Sequence, residues 1–102
     1  MIREHRYALR SVWTGNRGTG TSGYRDYDRT VTVAVDGKAV LEASADKPFR
    51  GDPTKWNPED LLLASVSACH KLWYLHLCAV NNVNVLAYVD NPEGRMVEGD
   101  GE

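Results

Sequence analysis

Two cysteines and two histidines fall within ten residues of one another, at Cys69, His70, His76 and Cys78. In principle the set could hold a metal ion, form a disulfide or supply a nucleophile. On a helix, Cys69 and His76 share a face but stand about 10 Å apart along the axis. Cys69 and Cys78 differ by about 900° of rotation and project from opposite faces. Four tetrahedral ligands cannot come from such a helix, and a bridge needing Cα atoms within about 7 Å cannot close on it. The remaining chemistry is that of a single thiol. Cys78 reads as a small core hydrophobe. Cys69 follows Ala64-Ser65-Val66-Ser67-Ala68, side chains small enough to admit another backbone or a substrate, before bulk resumes at Leu72-Trp73-Tyr74. Taken alone, a helical cysteine among small residues is more often inert than nucleophilic. A second motif, Gly18-Thr19-Gly20-Thr21-Ser22-Gly23, has the spacing of a dinucleotide-binding loop. No helix opens after it to receive a pyrophosphate, so it reads as a glycine-rich loop.

The elements that position these residues follow from patterning. Tyr7 to Trp13 alternates with a period near two and predicts a half-buried strand. Gly15 to Asp28 carries four glycines among polar residues and predicts a long loop. Arg29 to Val35 alternates Val31, Val33 and Val35 with Thr30, Thr32 and Ala34. Asp36-Gly37 supplies left-handed turn positions leading into a second strand, Ala39 to Ala43. Ser44 to Trp56, with two prolines and a glycine, reads as an ordered connection. Asn57-Pro58-Glu59-Asp60 is a helix start, with Asn as cap, Pro in the first turn and acids at the positive end of the dipole. A helix is predicted from Pro58 to about Val80, closing at Asn81-Asn82. Val83 to Val89 has strand composition, Asp90 to Gly94 that of a turn, and Arg95 to Glu98 could pair back. The tail from Gly99 adds no element.

Apolar residues on this helix, from Leu61 to Val80, do not keep to one stripe, so the helix is expected to be buried nearly all round. A transmembrane role is disfavoured by His70, Lys71 and His76 inside the stretch, since a central Lys alone costs roughly 2.5–3.5 kcal/mol on insertion scales. One small sheet cannot cover both sides, which points to a homodimer with two such helices packed near a two-fold axis. The 102 residues suffice for a single domain. Twelve basic against fourteen acidic residues, a net charge of −2, lack the excess that nucleic acid binding requires. The charged N-terminal decapeptide has no apolar signal core, and a cytoplasmic protein with free thiols is expected.

The run from Trp56 to His70, in which Asn-Pro-Glu opens a helix and Cys69 follows Glu59 by ten residues, resembles the central helix of the OsmC/Ohr family of thiol-dependent hydroperoxide reductases. The likeness extends to Trp13-Thr14-Gly15-Asn16, Phe49-Arg50-Gly51-Asp52, Tyr88-Val89-Asp90 and Glu93-Gly94. It implies an α+β fold, a small antiparallel sheet on a long buried central helix in an intertwined dimer, and a peroxidase whose Cys69 reduces organic hydroperoxides. No metal, flavin or haem is implied, and an external thiol is the reductant. Family members normally carry a further C-terminal portion with a resolving cysteine, so the chain is expected to be a fragment or a shortened relative.

A peroxidatic cysteine must be a thiolate, whereas an ordinary thiol of pKa near 8.5 is only about 3% ionised at pH 7. Cys69 lies too deep in the helix for the dipole to help, so a cation is required. The resemblance implies an Arg held by Glu59 and approaching the Cys of the other chain, since within one helix Glu59 lies about 15 Å from Cys69. Arg50, in the loop before the helix, and Arg29, opening the hairpin strand, are the candidates, with Arg17 as the placement similar to the Ohr branch. The bland readings are a capping acid for Glu59 and solvated charge for each Arg. The rival class is non-enzymatic, a small-ligand-binding or dimerisation module with an inert Cys69.

Overall fold

The computed structural model describes residues 2–99. The chain is α+β, with one antiparallel three-stranded sheet and one long helix. It divides into two compact units, one running up to Pro58 and one from Glu59 onward.

The N-terminal unit is a meander of β1 (Arg10–Trp13), β2 (Thr30–Ala34) and β3 (Leu41–Ser44), in that spatial order. Arg10 pairs with Ala34 and Trp13 with Val31 on one side of β2; Val33 pairs with Leu41 and Thr30 with Ser44 on the other. β1 begins at Arg10 and not at Tyr7, because its partner strand ends at Ala34 and leaves residues 7–9 with no ladder to join. The hairpin turn is also looser than expected. Lys38 N–H donates to the Val35 carbonyl, and Gly37 alone takes the left-handed backbone, with φ of 83°. Residues 34–40 lie between the last paired positions of β2 and β3, so the second strand starts at Leu41. β2 is half-buried along its whole length, so its Val/Thr alternation does not sort into a wet and a dry face.

The glycine-rich loop after β1 is tied at its base. Asp28 N–H donates to the Gly15 carbonyl, Trp13 Nε1 donates to the Asp28 carbonyl at 2.8 Å, and the Trp13 ring meets Tyr27 edge-on at 5.8 Å. Gly15 is buried there, and a Cβ would fall on the Asp28 carbonyl. The connection from Ala45 to Asn57 is ordered, as its composition suggests. Asp46 caps a short 3-10 turn, Lys47–Phe49, and Arg50 closes it in the left-handed conformation at φ 63°. Gly51 N–H then donates to the Asp46 carbonyl, and Trp56 returns beside β3 to accept the Ser44 amide at 2.9 Å. Ala43 and Ser44, both 3% exposed, sit where these strands of chain meet.

The C-terminal unit is built on α1 (Pro58–Val80), with Glu59 and Asp60 in its first turn. Its end is a Schellman motif. Asn82 is left-handed at φ 61°, Val83 N–H donates to the Cys78 carbonyl at 2.8 Å, and Asn82 N–H reaches the Ala79 carbonyl. The chain then runs back along the helix. Val83 lies at Cys78, the Tyr88 ring meets Tyr74 edge-on at 5.8 Å, Asp90 binds Lys71 and Ser67, and Gly94 packs at Leu63.

Two expectations are corrected here. Residues 83–89 and 95–98 form no strand, because the return is held to α1 by side chains and has no backbone ladder to pair with. Nor is α1 buried all round: Cys78 is its one buried residue, while Leu62, Val66, Leu72, Trp73 and Val80 are exposed. A single extended segment covers one stripe of a cylinder and leaves the rest open. Apart from Gly99, the tail lies outside the described residues.

Two substitutions test these local constraints. A Cβ at Gly51 would collide with the Ala45 backbone carbonyl, so Gly51→Ala is expected to cost about 3 kcal/mol or more in a urea titration. Asn82→Ala, which removes the short polar side chain that makes the left-handed cap tolerable to a residue other than glycine, is expected to cost about 1 kcal/mol, and Asn82→Gly to cost nothing.

Candidate functional site

Cys69 sits near the middle of α1 with its side chain exposed, whereas Cys78 is buried; both are free thiols. The reason lies in the helical period. The half-buried positions Leu61, Ala64, Ser67, Lys71 and Leu75, with buried Cys78, recur every three or four residues and form the stripe facing the return segment. Cys69 is about 200° around the axis from Ser67 and falls on the far side. One turn away on either side stand Ser65, Val66, Leu72 and Trp73, all exposed. The surroundings of the thiol are thus apolar and open. Ser65 donates its hydroxyl to the Leu62 carbonyl at 2.7 Å, leaving it turned into the helix backbone. His70 is exposed, and the ring of His76 stacks on Trp73 at 5.2 Å.

Cys78 has the opposite environment. It is buried at the edge of a recess of about 520 Å³ lined also by Leu75, Ala79, Asn82, Val83, Asn84 and Val85. Its hydrogen bond with the Tyr74 side chain raises the Tyr74 hydroxyl above the ordinary phenol range.

Of the other residues picked out in the sequence, Glu59 is exposed in the first turn of α1, the place of a dipole-complementing acid. It shares a helix with Cys69 and, ten residues away, lies about 15 Å along the axis from it. Arg29 and Arg50 belong to the N-terminal unit, where the structure brings them together on one ring. Their guanidinium carbons stand 4.8 and 5.6 Å from the centre of Tyr24. Arg29 also lies 3.7 Å over Tyr27 and donates to the carbonyls of Tyr27 and Tyr24, both at 2.7 Å. Arg17 donates to the Arg25 carbonyl and lies 3.7 Å from Asp28. Within their unit, Arg29 and Arg17 organise the glycine-rich loop, and Arg50 closes the 3-10 turn. The tyrosines that stack on the arginines escaped the sequence reading, because aromatic residues in a glycine-rich loop carry no periodic signal.

A second cluster was also missed. Lys71 Nζ lies 2.6 Å from Asp90, and the Ser67 hydroxyl donates to the same carboxylate at 2.7 Å. Lys71 lies 5.4 Å from the centre of the Tyr88 ring. Ser67 and Lys71 are one helical turn apart, a spacing that could have flagged them as a joint receptor for an acid. The Lys71 ammonium, with the Ser67 hydroxyl second, holds the Asp90 carboxyl below the usual carboxylate range. Among the described residues no group of three or more His, Cys, Asp or Glu is placed to hold a metal ion. Among them, too, no helix is long and apolar enough to cross a membrane. Comparison of the chain with family models, with curated proteins and with solved structures finds no match.

A lowered carboxylate contributes stability that is present above its unfolded pKa, near 3.9, and lost as pH falls through the folded value. The Tyr88 ring resonances should therefore hold their native shifts from pH 7 to about 5 and move towards free-tyrosine values in the acid range below about 4. Asp90→Asn is expected to show the displaced shifts already at pH 7. Iodoacetamide on the native protein should label Cys69 at least about ten times faster than Cys78, whose reaction waits on local opening.

Proposed function

We propose that the chain is an OsmC/Ohr-type thiol peroxidase, acting on organic hydroperoxides as a cytoplasmic homodimer with Cys69 as the peroxidatic residue. The observation that carries this reading is the exposure of Cys69 within an apolar neighbourhood, on the helix whose Asn-Pro-Glu start and ten-residue spacing prompted the resemblance. Val66, Leu72 and Trp73 offer apolar surface beside the sulfur, which favours a substrate with an apolar tail, since burial of such a tail contributes about 25 cal/mol per Å².

In the proposed step the Cys69 thiolate attacks the distal peroxide oxygen. The S–O bond forms as the O–O bond breaks; the leaving alkoxide takes a proton and departs as the alcohol, and sulfur is oxidised to the sulfenic acid. One external thiol condenses with that acid to give a mixed disulfide and water. A second thiol then releases Cys69, so two thiols are oxidised per peroxide reduced. Arg50 or Arg29, held by Glu59, would supply the positive charge that keeps the sulfur ionised, with these groups drawn from the other chain of the dimer. Cys78 is about 13 Å further along the helix, on its opposite side and buried, and takes no part.

Dimedone trapping followed by peptide mass spectrometry tests the reading. Cumene hydroperoxide is expected to give a dimedone adduct on Cys69, sulfinic acid when peroxide is in excess, and no Cys69–Cys78 disulfide. Cys69→Ser should lower peroxide consumption by at least about a hundredfold, since it removes the nucleophile outright. An unmodified Cys69 beside unconsumed peroxide would reject the enzyme and favour the dimerisation module.

A further inference from the structure

The turn between β2 and β3 holds a carboxylate and an amide with nothing to occupy them. Asp36 and Gly37 are exposed, Gly37 is left-handed at φ 83°, and beyond its chain neighbours no atom lies within 4 Å of where a Gly37 Cβ would stand. Among the described residues the Asp36 carboxylate has no hydrogen-bond or ion-pair partner, and the Gly37 amide donates to no acceptor. The last rung of the ladder joins Val33 to Leu41, so the turn itself is closed by one hydrogen bond, from Lys38 N–H to the Val35 carbonyl at 3.0 Å. The other described aspartates lack one condition or another. Asp52 precedes a proline, whose nitrogen carries no hydrogen, Asp26 precedes the bulky Tyr27, and Asp60 lies inside α1. The carboxylates of Asp28, Asp46 and Asp90 are engaged by Arg17, the Lys47 amide and Lys71.

We infer that Asp36-Gly37 is a site of spontaneous covalent modification, where the backbone of the folded chain isomerises from an α-linked to a β-linked aspartate. The inference is independent of the peroxide chemistry at Cys69. In the first step the Gly37 amide nitrogen attacks Cγ of the protonated Asp36 side chain. The N–Cγ bond forms, the nitrogen gives up its proton, the Cγ–OH bond breaks and one water leaves, closing a succinimide ring. A second water then opens the ring. Cleavage of the N–Cγ bond restores the aspartate. Cleavage between the nitrogen and the Asp36 carbonyl carbon leaves the chain running through Cγ, with the former backbone carbonyl as a free carboxylate. The water lost is regained, nothing is oxidised, and the mass is unchanged. Ring closure requires the peptide plane between Asp36 and Gly37 to rotate towards Cβ. Glycine has no side chain to crowd that approach and takes either sign of φ, and an exposed turn held by one hydrogen bond opens at low cost. The fold survives the product because the extra backbone carbon falls outside the ladder, which ends at Val33 and Leu41.

Ageing the native chain in neutral buffer at body temperature for several weeks, followed by peptide mapping, tests this. Trypsin cuts after Arg29 and Lys38 and releases residues 30–38 as one peptide, to be resolved against synthetic α- and β-linked standards. The other Asp-Gly pair, Asp100-Gly101, lies outside the described residues and leaves in a separate peptide. A species of unchanged mass that matches the β-linked standard is expected to grow with time, with a precursor lighter by one water. Its share should exceed that at any other described aspartate by at least about tenfold. Asp36→Asn is expected to convert at least about ten times faster with loss of ammonia, since an amide needs no proton before attack and a carboxylate does. Amide protection along the rungs from Thr30-Ser44 to Val33-Leu41 should persist in the aged chain. An Asp36 and an Asn at the same place that both stay α-linked would show that the turn holds the pair apart and overturn the inference. So would a β-linked product that forms only in urea, or loss of ladder protection as the product accumulates.

Discussion

A helix with apolar residues on every side needs more cover than one extended strand of chain can provide, and the C-terminal unit is organised by that shortage. The return segment from Val83 onward takes one stripe of α1, fastened at the far end by the Schellman closure and in the middle by Lys71, Ser67 and Asp90. An extended segment lies along one side of a cylinder and leaves the rest open. What it covers becomes the dry face that holds Cys78; what it leaves becomes the face that presents Cys69. The contrast between the two thiols is therefore a consequence of which stripe the return segment chose.

That choice is electrostatic as much as apolar. Lys71 is the single formal charge in the middle of the helix, and wherever it points, the helix needs either water or a carboxylate. Asp90 supplies the carboxylate, and the Ser67 hydroxyl one turn back completes its coordination. Turning Lys71 inward to Asp90 turns Cys69 outward, because the two lie on different sides of the same helix. The polar tie and the exposed thiol are thus geometrically linked through the 100° step of the backbone.

The N-terminal unit solves a different problem with different means. Its strands are four or five residues long, and its buried hydrophobic core is little more than Ala43. Order there comes from backbone closures and from aromatic and cationic contacts: Trp13 on Asp28 and Tyr27, Arg29 across Tyr24 and Tyr27, and Trp56 bridging back to β3. Gly15 and Gly51 allow the closest of these approaches, since a side chain at either would occupy a carbonyl already in place.

Local physics made the secondary structure legible in the sequence. The helix appears over Pro58 to Val80 because its start motif, apolar run and terminal asparagines act within a few residues of themselves. The strands and the hairpin of β2 and β3 appear because alternation and a glycine turn are equally local, and the opposition of Cys69 and Cys78 follows from helical rotation alone. The sequence also carried the apolar excess of α1, but an all-round apolar pattern has no direction and could not say which side would be covered. The tertiary structure decided that through Lys71 and Asp90, nineteen residues apart in the chain, and through ring contacts such as Tyr74 on Tyr88. It also decided that the return segment would be no strand, since strand composition forms a strand only where another backbone offers its hydrogen bonds.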